Sequence, residues 1–299
     1  MHLFRSLLYV PADNERRIEK ALNSGADVAI LDLEDSVAVE RKEAARNKLK
    51  SHLARPRTSI AYVRVNAMST PFCLEDIHAA MESGAGGISL PMVESPEDVF
   101  AVDWVMSQLE KKLALEAGSV GLLPVIETAR GLQFAAQALA RVKRVRRAGL
   151  GVGDLALEMN LELSADQREI LPYRHSLVLA SSVAGLEAPL DTVYLDLDNL
   201  EGLRESCIQS RRIGFQGRRI IHPSHIAIVN EAYAPTDAEV RLAEKIVAEF
   251  GEAERNGIAA VRVGASVVDY PVARRAQAVL ARRDAIRQAE AKQRVVFTQ

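Results

Sequence analysis

Cysteine is nearly absent from this 299-residue chain, which holds only Cys73 and Cys207. Two cysteines cannot build a disulfide framework, and no Cys-x-x-Cys pair or His/Cys zinc spacing is present. The expectation is a reducing, cytoplasmic setting, with both thiols as small buried hydrophobes. Charge of one sign is also lacking. Lys and Arg total 38 against 40 Asp and Glu, a net charge of -2, which argues against nucleic-acid binding driven by phosphate contacts. No apolar run approaches the ~18–20 residues that cross a bilayer. The N-terminus lacks the basic region and long apolar run of a signal peptide, so no secretory leader is expected. There is no low-complexity segment and no long linker. After the first apolar run, where an open dinucleotide-binding sheet carries a glycine-rich loop, stands Pro11-Ala12-Asp13-Asn14.

What is present is a repeat of strand-like and helix-like segments. Eight short apolar runs read as strands: Ser6–Pro11, Val28–Leu33, Ala61–Val65, Gly87–Met92, Gly121–Ile126, Ala148–Gly153, Thr192–Asp198 and Arg219–His222. Between them lie helical segments at 14–24, 39–54, 74–83, 96–115, 128–142, 165–186 and 200–213. Apolar strands alternating with helices indicate a parallel sheet covered by helices. Eight repeats predict an α/β fold of the (β/α)8 TIM-barrel type, with a doubly wound sheet as the alternative.

The chain continues past what eight repeats need. Thr236, with Glu239 three residues later, predicts a capping box opening a new helix to about Arg255. A turn at Asn256-Gly257, a strand at 258–263 and a helix at 271–290 follow. The predicted organisation is a barrel domain over 1–234 and a C-terminal helical extension over 235–299. Val272, Ala276 and Val279-Leu280 fall on one face of the last helix, a face that must be buried, and a neighbouring subunit is the expected cover.

In a parallel barrel the active site lies at the C-terminal strand ends. That rule gathers Glu34 and Asp35 after the second strand, Arg64 and Asn66 on the third, Glu127 after the fifth, Asp154 after the sixth and His222 after the eighth. Glu127 and Asp154 are 27 residues apart, the spacing of one strand–helix–strand unit. Crowded carboxylates repel one another and a cation relieves that, so Glu127 and Asp154 read as a seat for a hard divalent ion such as Mg²⁺. Arg64, a charge inside an apolar strand, needs a partner. That partner is either a substrate anion or a structural salt bridge to Glu34 or Asp35. Asp35 and Asp154 could equally be helix caps, and Glu127 a dipole complement. His222 reads as structural. The basic run Arg141, Lys143, Arg144, Arg146 and Arg147 reads as a solvated helix end.

The stretches Arg5-Ser6-Leu7-Leu8-Tyr9-Val10-Pro11, Leu31-Asp32-Leu33-Glu34-Asp35-Ser36-Val37, Val63-Arg64-Val65-Asn66, Pro124-Val125-Ile126-Glu127-Thr128 and Ile221-His222-Pro223-Ser224 resemble the citrate lyase beta subunit-like family. That family lies within the HpcH/HpaI aldolase superfamily and includes malyl-CoA and citramalyl-CoA lyases. The resemblance spans nearly the whole chain, in order. It implies a Mg²⁺-dependent carbon–carbon lyase with Glu127 and Asp154 as metal ligands. Arg64 would hold the substrate carboxylate with Asn66 beside it, and Glu34 and Asp35 would lie near the metal and its waters. Asp269, in an Asp-x-Pro motif, would be a catalytic group reaching a neighbouring subunit. The family's preceding Asp-Gly is Gly264-Ala265 here. The implied partners are an acyl-CoA or acyl-carrier substrate and a 2-oxo acid product, with a homotrimer or hexamer as the assembly. The alternatives are a beta subunit of a multi-subunit citrate lyase, an aldolase on free 2-oxo acids without CoA, and a non-catalytic scaffold.

Overall fold

The computed structural model describes residues 3–164 and 166–297, with side chains described to residue 291. Eight parallel strands close into a barrel in sequence order, β8 returning to β1. They are β1 (Ser6–Pro11), β2 (Val28–Asp32), β3 (Ile60–Arg64), β4 (Gly87–Leu90), β5 (Gly121–Ile126), β6 (Gly149–Leu150), β7 (Leu190–Asp191) and β8 (Gly217–Ile220). The intervening helices are α1 (Glu15–Leu22), α2 (Lys42–Leu53), α3 (Cys73–Glu82), α4 (Pro96–Lys112), α5 (Ala129–Leu139), α6 (Val152–Glu158), α7 (Leu171–Val183), α8 (Leu200–Ile213) and α9 (His225–Ala232).

Local chemistry explains many of these boundaries. Asn14, Ser95, Thr128 and Asn199 each accept a hydrogen bond from a first-turn N–H, opening α1, α4, α5 and α8. At α4 the cap is a full box, with Asp98 reciprocating and Pro96 at a first-turn position where it loses no hydrogen bond. Along each strand, alternate residues face opposite sides. One set, including Leu8, Ala29, Leu31, Val63 and Ile88, packs under the helices. The other, Leu7, Val28, Ile30, Tyr62, Leu123 and Leu190, fills the barrel interior. The Tyr62 ring takes the space at Gly87, where a Cβ would stand 2.2 Å from it. The lower barrel is therefore solid, and open volume exists only above it.

Three boundaries differ from expectation. β7 covers Leu190–Asp191, and residues 192–198 have no regular structure. The strand contains a buried aspartate, so a search for apolar runs passed over it. β8 begins at Gly217, two residues early, because Arg218 and Arg219 disguised its start. α7 begins at Leu171; the expected start of that helix, Ala165, lies outside the described residues.

The chain separates into two compact units, one of Phe4–Tyr233 and one of Met1–Leu3 with Ala234–Gln299. In the second, α10 (Asp237–Arg255) opens on the Thr236–Glu239 capping box. The hairpin β9 (Val261–Val263) and β10 (Ser266–Val268) leads to α11 (Tyr270–Phe297). Ile246 and Phe250 of α10 pack with Val263, Val268, Ala273 and Ala276. Val272, Val279 and Leu280 join this cluster. The apolar face of the last helix, expected against a neighbouring subunit, thus packs on α10 of its own chain. Among the described residues no helix is long and apolar enough to cross a membrane.

Candidate active site

A cavity of about 440 Å³ opens at the C-terminal end of the barrel. Its walls include Tyr9, Asp32, Arg64, Glu127, Asp154 and Arg219. Each comes from a strand end or the segment just beyond one.

Arg64, the last residue of β3, pairs with Asp32, the last residue of β2. Nε donates to Oδ1 and Nη2 to Oδ2, both at 2.7 Å. Asp32 and Arg64 are opposite each other in the parallel register, which makes the two-pronged pair possible. Arg64 Nη1 also meets the Glu34 carboxylate and lies 3.4 Å from Asp35. Burial alone would favour the neutral acid, but the hydrogen bonds and charge of Arg64 hold Asp32 below the usual carboxylate range. Burial likewise opposes charge on Arg64, and the same pair overrides it, raising its pKa. The structural salt bridge weighed for Arg64 therefore exists, chiefly to Asp32, which had not been singled out.

Glu34 behaves differently. Burial, joined by the charges of Asp35, Glu127 and Asp32, outweighs Arg64 and pushes its carboxyl up to about 8. Glu127, 4% exposed, has its pKa raised by burial, and the charge of Asp154 adds to this against Arg219 and a backbone N–H. That N–H belongs to Met92, 2.8 Å from Oε1. Met92 has φ +53°, a left-handed conformation unusual for a side-chain-bearing residue. On the other side, a Cβ on Gly151 would stand 2.2 Å from Glu127 Oε2. Backbone strain on one side and a missing side chain on the other set the Glu127 carboxylate.

Asp154 is not at a strand tip. β6 ends at Leu150, and Asp154 lies in the first turn of α6, exposed and facing the cavity. The cap position there is Gly151, so Asp154 is no N-cap either. Asn66 is placed differently from the substrate-contact expectation. It is buried, its amide donates to the Leu33 carbonyl at 3.0 Å and to Asp76 at 2.6 Å, and it does not line the cavity. His222 is exposed and bonds Ser224. Asp269 lies in the second unit, where its carboxylate accepts from the Val272 N–H at 3.2 Å and caps the start of α11.

Arg219 and Tyr9 complete the cavity and were both missed. The Tyr9 ring lies between two guanidiniums, 5.1 Å from Arg64 Cζ and 5.9 Å from Arg219 Cζ. The basic run also needs correcting. Arg144 is buried and bonds Asp103, Glu110 and the Val120 carbonyl, while Arg147 pairs with Glu187 and stacks on Phe4. A buried carboxylate two helical turns away in α4 defines Arg144, and no local pattern reveals that.

Glu34, Asp35, Asp32, Glu127 and Asp154 place five carboxyl groups against two buried guanidiniums at one cavity. Such a donor set suits a hard divalent cation. Among the described residues no group of three or more His, Cys, Asp or Glu side chains is arranged to hold a metal. Two carboxylates are what Mg²⁺ commonly takes, leaving its other positions to water and substrate.

Comparison with known proteins is consistent across the chain. Residues 5–223 match the model for the HpcH/HpaI aldolase/citrate lyase family. The citrate lyase subunit beta of Haemophilus influenzae is 33% identical over 284 residues, 94% of this chain and 97% of that protein. A (3S)-malyl-CoA thioesterase of Cereibacter sphaeroides is 36% identical over 283 residues, 94% of this chain and 93% of that protein. The crystal structure of CitE from Mycobacterium tuberculosis, in complex with magnesium, acetoacetate and coenzyme A, superposes with a TM-score of 0.77 at 30% identity, covering 94% of this chain and 98% of that one. A closed eight-stranded barrel, a carboxylate-lined cavity at its mouth and relatives matched along nearly their whole length lead to one conclusion: this chain belongs to the HpcH/HpaI aldolase/citrate lyase family, a family of carbon–carbon lyases.

Proposed function

We propose that this protein cleaves a carboxylate-bearing 3-hydroxyacyl-CoA to acetyl-CoA and a 2-oxo acid, with Mg²⁺ as cofactor. The observation that carries this reading is the meeting of Glu127, Asp154 and Arg64 at one cavity. Relatives named for citrate lyase and malyl-CoA chemistry, and a neighbour holding magnesium and coenzyme A, support it.

Glu127 and Asp154 would hold the metal. When bound, Mg²⁺ supplies positive charge at the hydroxyl and carboxylate oxygens of the substrate, favouring the developing keto group. Arg64 orients the substrate carboxylate through its Nη1 edge, while Asp32 keeps the guanidinium plane fixed. The hydroxyl proton passes to the Glu34–Asp35 pair. Glu34 suits this role, because a carboxyl near pH 8 exchanges protons around neutrality. The bond between the carbinol carbon and the thioester methylene breaks, its electron pair leaving as the enolate of acetyl-CoA. Protonation of that carbon completes acetyl-CoA, and we assign the proton to Asp269 of a neighbouring subunit. The C-terminal unit would then be an assembly and donor element of a homotrimer or hexamer.

The test compares wild type with Arg64→Lys on a panel of CoA thioesters with and without a 3-hydroxyl and a carboxylate. A lysine keeps the charge but not the planar fork. The expected result is turnover only of thioesters carrying both groups, and a loss of roughly 100-fold or more in kcat/KM for the variant. Turnover indifferent to the substrate carboxylate, or a variant at the wild-type rate, would reject this reading.

A further inference from the structure

Adjacent arginines of β8 meet opposite fates. Arg218 faces the helices and is paired with Asp191, itself bridged to Arg174 at 2.9 Å. Arg219 faces the cavity, 5% exposed. Its partners are neutral: Nη2 donates to the Leu150 carbonyl and Nη1 to the Tyr9 hydroxyl at 3.4 Å. Nε has no partner at all. Arg219 forms no ion pair with any carboxylate among the described residues. Glu127 is near enough that Arg219 exerts the strongest opposing charge on it, yet neither of its oxygens is in ion-pair contact. Arg64, by contrast, is already neutralised by Asp32 and touched by Glu34 and Asp35.

A guanidinium buried without a counter-charge is costly, and nothing in the packing of β8 demands one. The cost is recovered when a ligand brings an anion. A single carboxylate is already provided for by Arg64. Tyr9, stacked between the two guanidiniums, sets Arg219 on the far side of the ring from Arg64. Two cations separated by one ring, in a cavity of about 440 Å³, suit a small molecule with two anionic ends.

We propose that Arg219 is a specificity residue that receives a second carboxylate, carried by the 2-oxo acid portion of the substrate. This rests on the lyase reading of the site and goes beyond it in naming the substrate as a dicarboxylate. A substrate with a methyl group in that place leaves Arg219 uncompensated and binds more weakly for that reason.

The test is equilibrium binding of oxaloacetate and of pyruvate to the full-length protein with saturating Mg²⁺, for wild type, Arg219→Gln and Arg219→Lys. Oxaloacetate should bind wild type roughly 10- to 100-fold more tightly than pyruvate, the range for a hydrogen bond between charged groups. Arg219→Gln should lose that preference while binding pyruvate within about threefold of wild type, a change too small to count as loss of a hydrogen bond. Arg219→Lys should keep part of it. Retained pyruvate affinity shows that the pocket is folded and the metal seat intact, which a merely structural role for Arg219 does not allow. Wild type binding the two acids alike overturns the proposal without need of a variant. So does an Arg219→Gln protein that loses both acids equally or keeps its preference for oxaloacetate. Wild type binding neither acid rejects the lyase reading itself, a distinct result.

Discussion

Gly151 and Glu127 stand in the closest contact of the site. Any side chain at 151 would collide with the Glu127 carboxylate, since even a Cβ falls 2.2 Å from Oε2. Gly151→Ala should therefore lower Mg²⁺ affinity by roughly 10- to 100-fold, the size typical of disturbing a ligand's support. The fold should survive, and Mg²⁺ titration beside a thermal melt checks both halves. Protons supply a second prediction. Burial raises the carboxyls of Glu34 and Glu127 in the metal-free protein, Glu34 to about 8. A bound cation favours their ionised forms, so Mg²⁺ binding at pH 7 should expel protons and tighten as pH rises toward about 8. Calorimetry in two buffers of different ionisation enthalpy measures this. Identical heats in both buffers would contradict it. At this scale, legibility from the sequence depended on how visible each residue's burden was. Arg64 was conspicuous as a lone charge in an apolar strand. Arg219 bears the same mark, but its neighbour Arg218 made the segment look polar and so surface-like. Asp32 was hidden for the converse reason, as one acid of three in Leu31-Asp32-Leu33-Glu34-Asp35. Asn66 was read from its position after Arg64, and position says nothing about Asp76, ten residues on, which engages it.

At the scale of elements, the join of β7, β8 and α7 holds the most concentrated charge in the core. Asp191 is fully buried between Arg174 and Arg218. Burial disfavours its ionised form, but the two guanidiniums overcome that and hold its pKa at about 2. The unfolded chain protonates this group near pH 4. The folded state therefore gains stability from Asp191 above about pH 4 and loses it as pH falls toward about 2. Asp191→Asn should remove that acid-sensitive contribution and destabilise by about 3–5 kcal/mol, because two buried cations lose their carboxylate. Denaturant unfolding at pH 7 and pH 3 measures it, and a variant as stable as wild type at pH 7 would exclude the account. The same join explains which elements were legible. β1 to β5 are apolar runs bounded by caps and turns, and they fall close to expectation. β7 is two residues long and ends in a charge that only partners on α7 and β8 explain. α6 was not anticipated, since Gly151-Val152-Gly153 reads as loop, yet it is the element that turns Asp154 toward the cavity.

At the scale of the molecule, the barrel was legible because its period repeats eight times, whereas the C-terminal unit was read only as helices needing cover. Part of that cover is internal, since α11 packs on α10. Its proposed part in catalysis rests on Asp269, and a mixing experiment addresses it. Asp269→Ala and Glu127→Ala should each be inactive alone and should regain partial activity after subunit exchange, because some interfaces then unite intact residues. No recovery after confirmed exchange would show that Asp269 does not serve a neighbour. The most direct measurement of the central claim is product stoichiometry. Malyl-CoA, citramalyl-CoA and citryl-CoA should each be incubated with the protein with Mg²⁺ and with chelator, and acetyl-CoA, 2-oxo acid and free CoA quantified. The account predicts equal amounts of acetyl-CoA and 2-oxo acid from at least one thioester, only with Mg²⁺, and no free CoA above background. Free CoA with the hydroxy acid left intact, or cleavage undiminished by chelation, would contradict it.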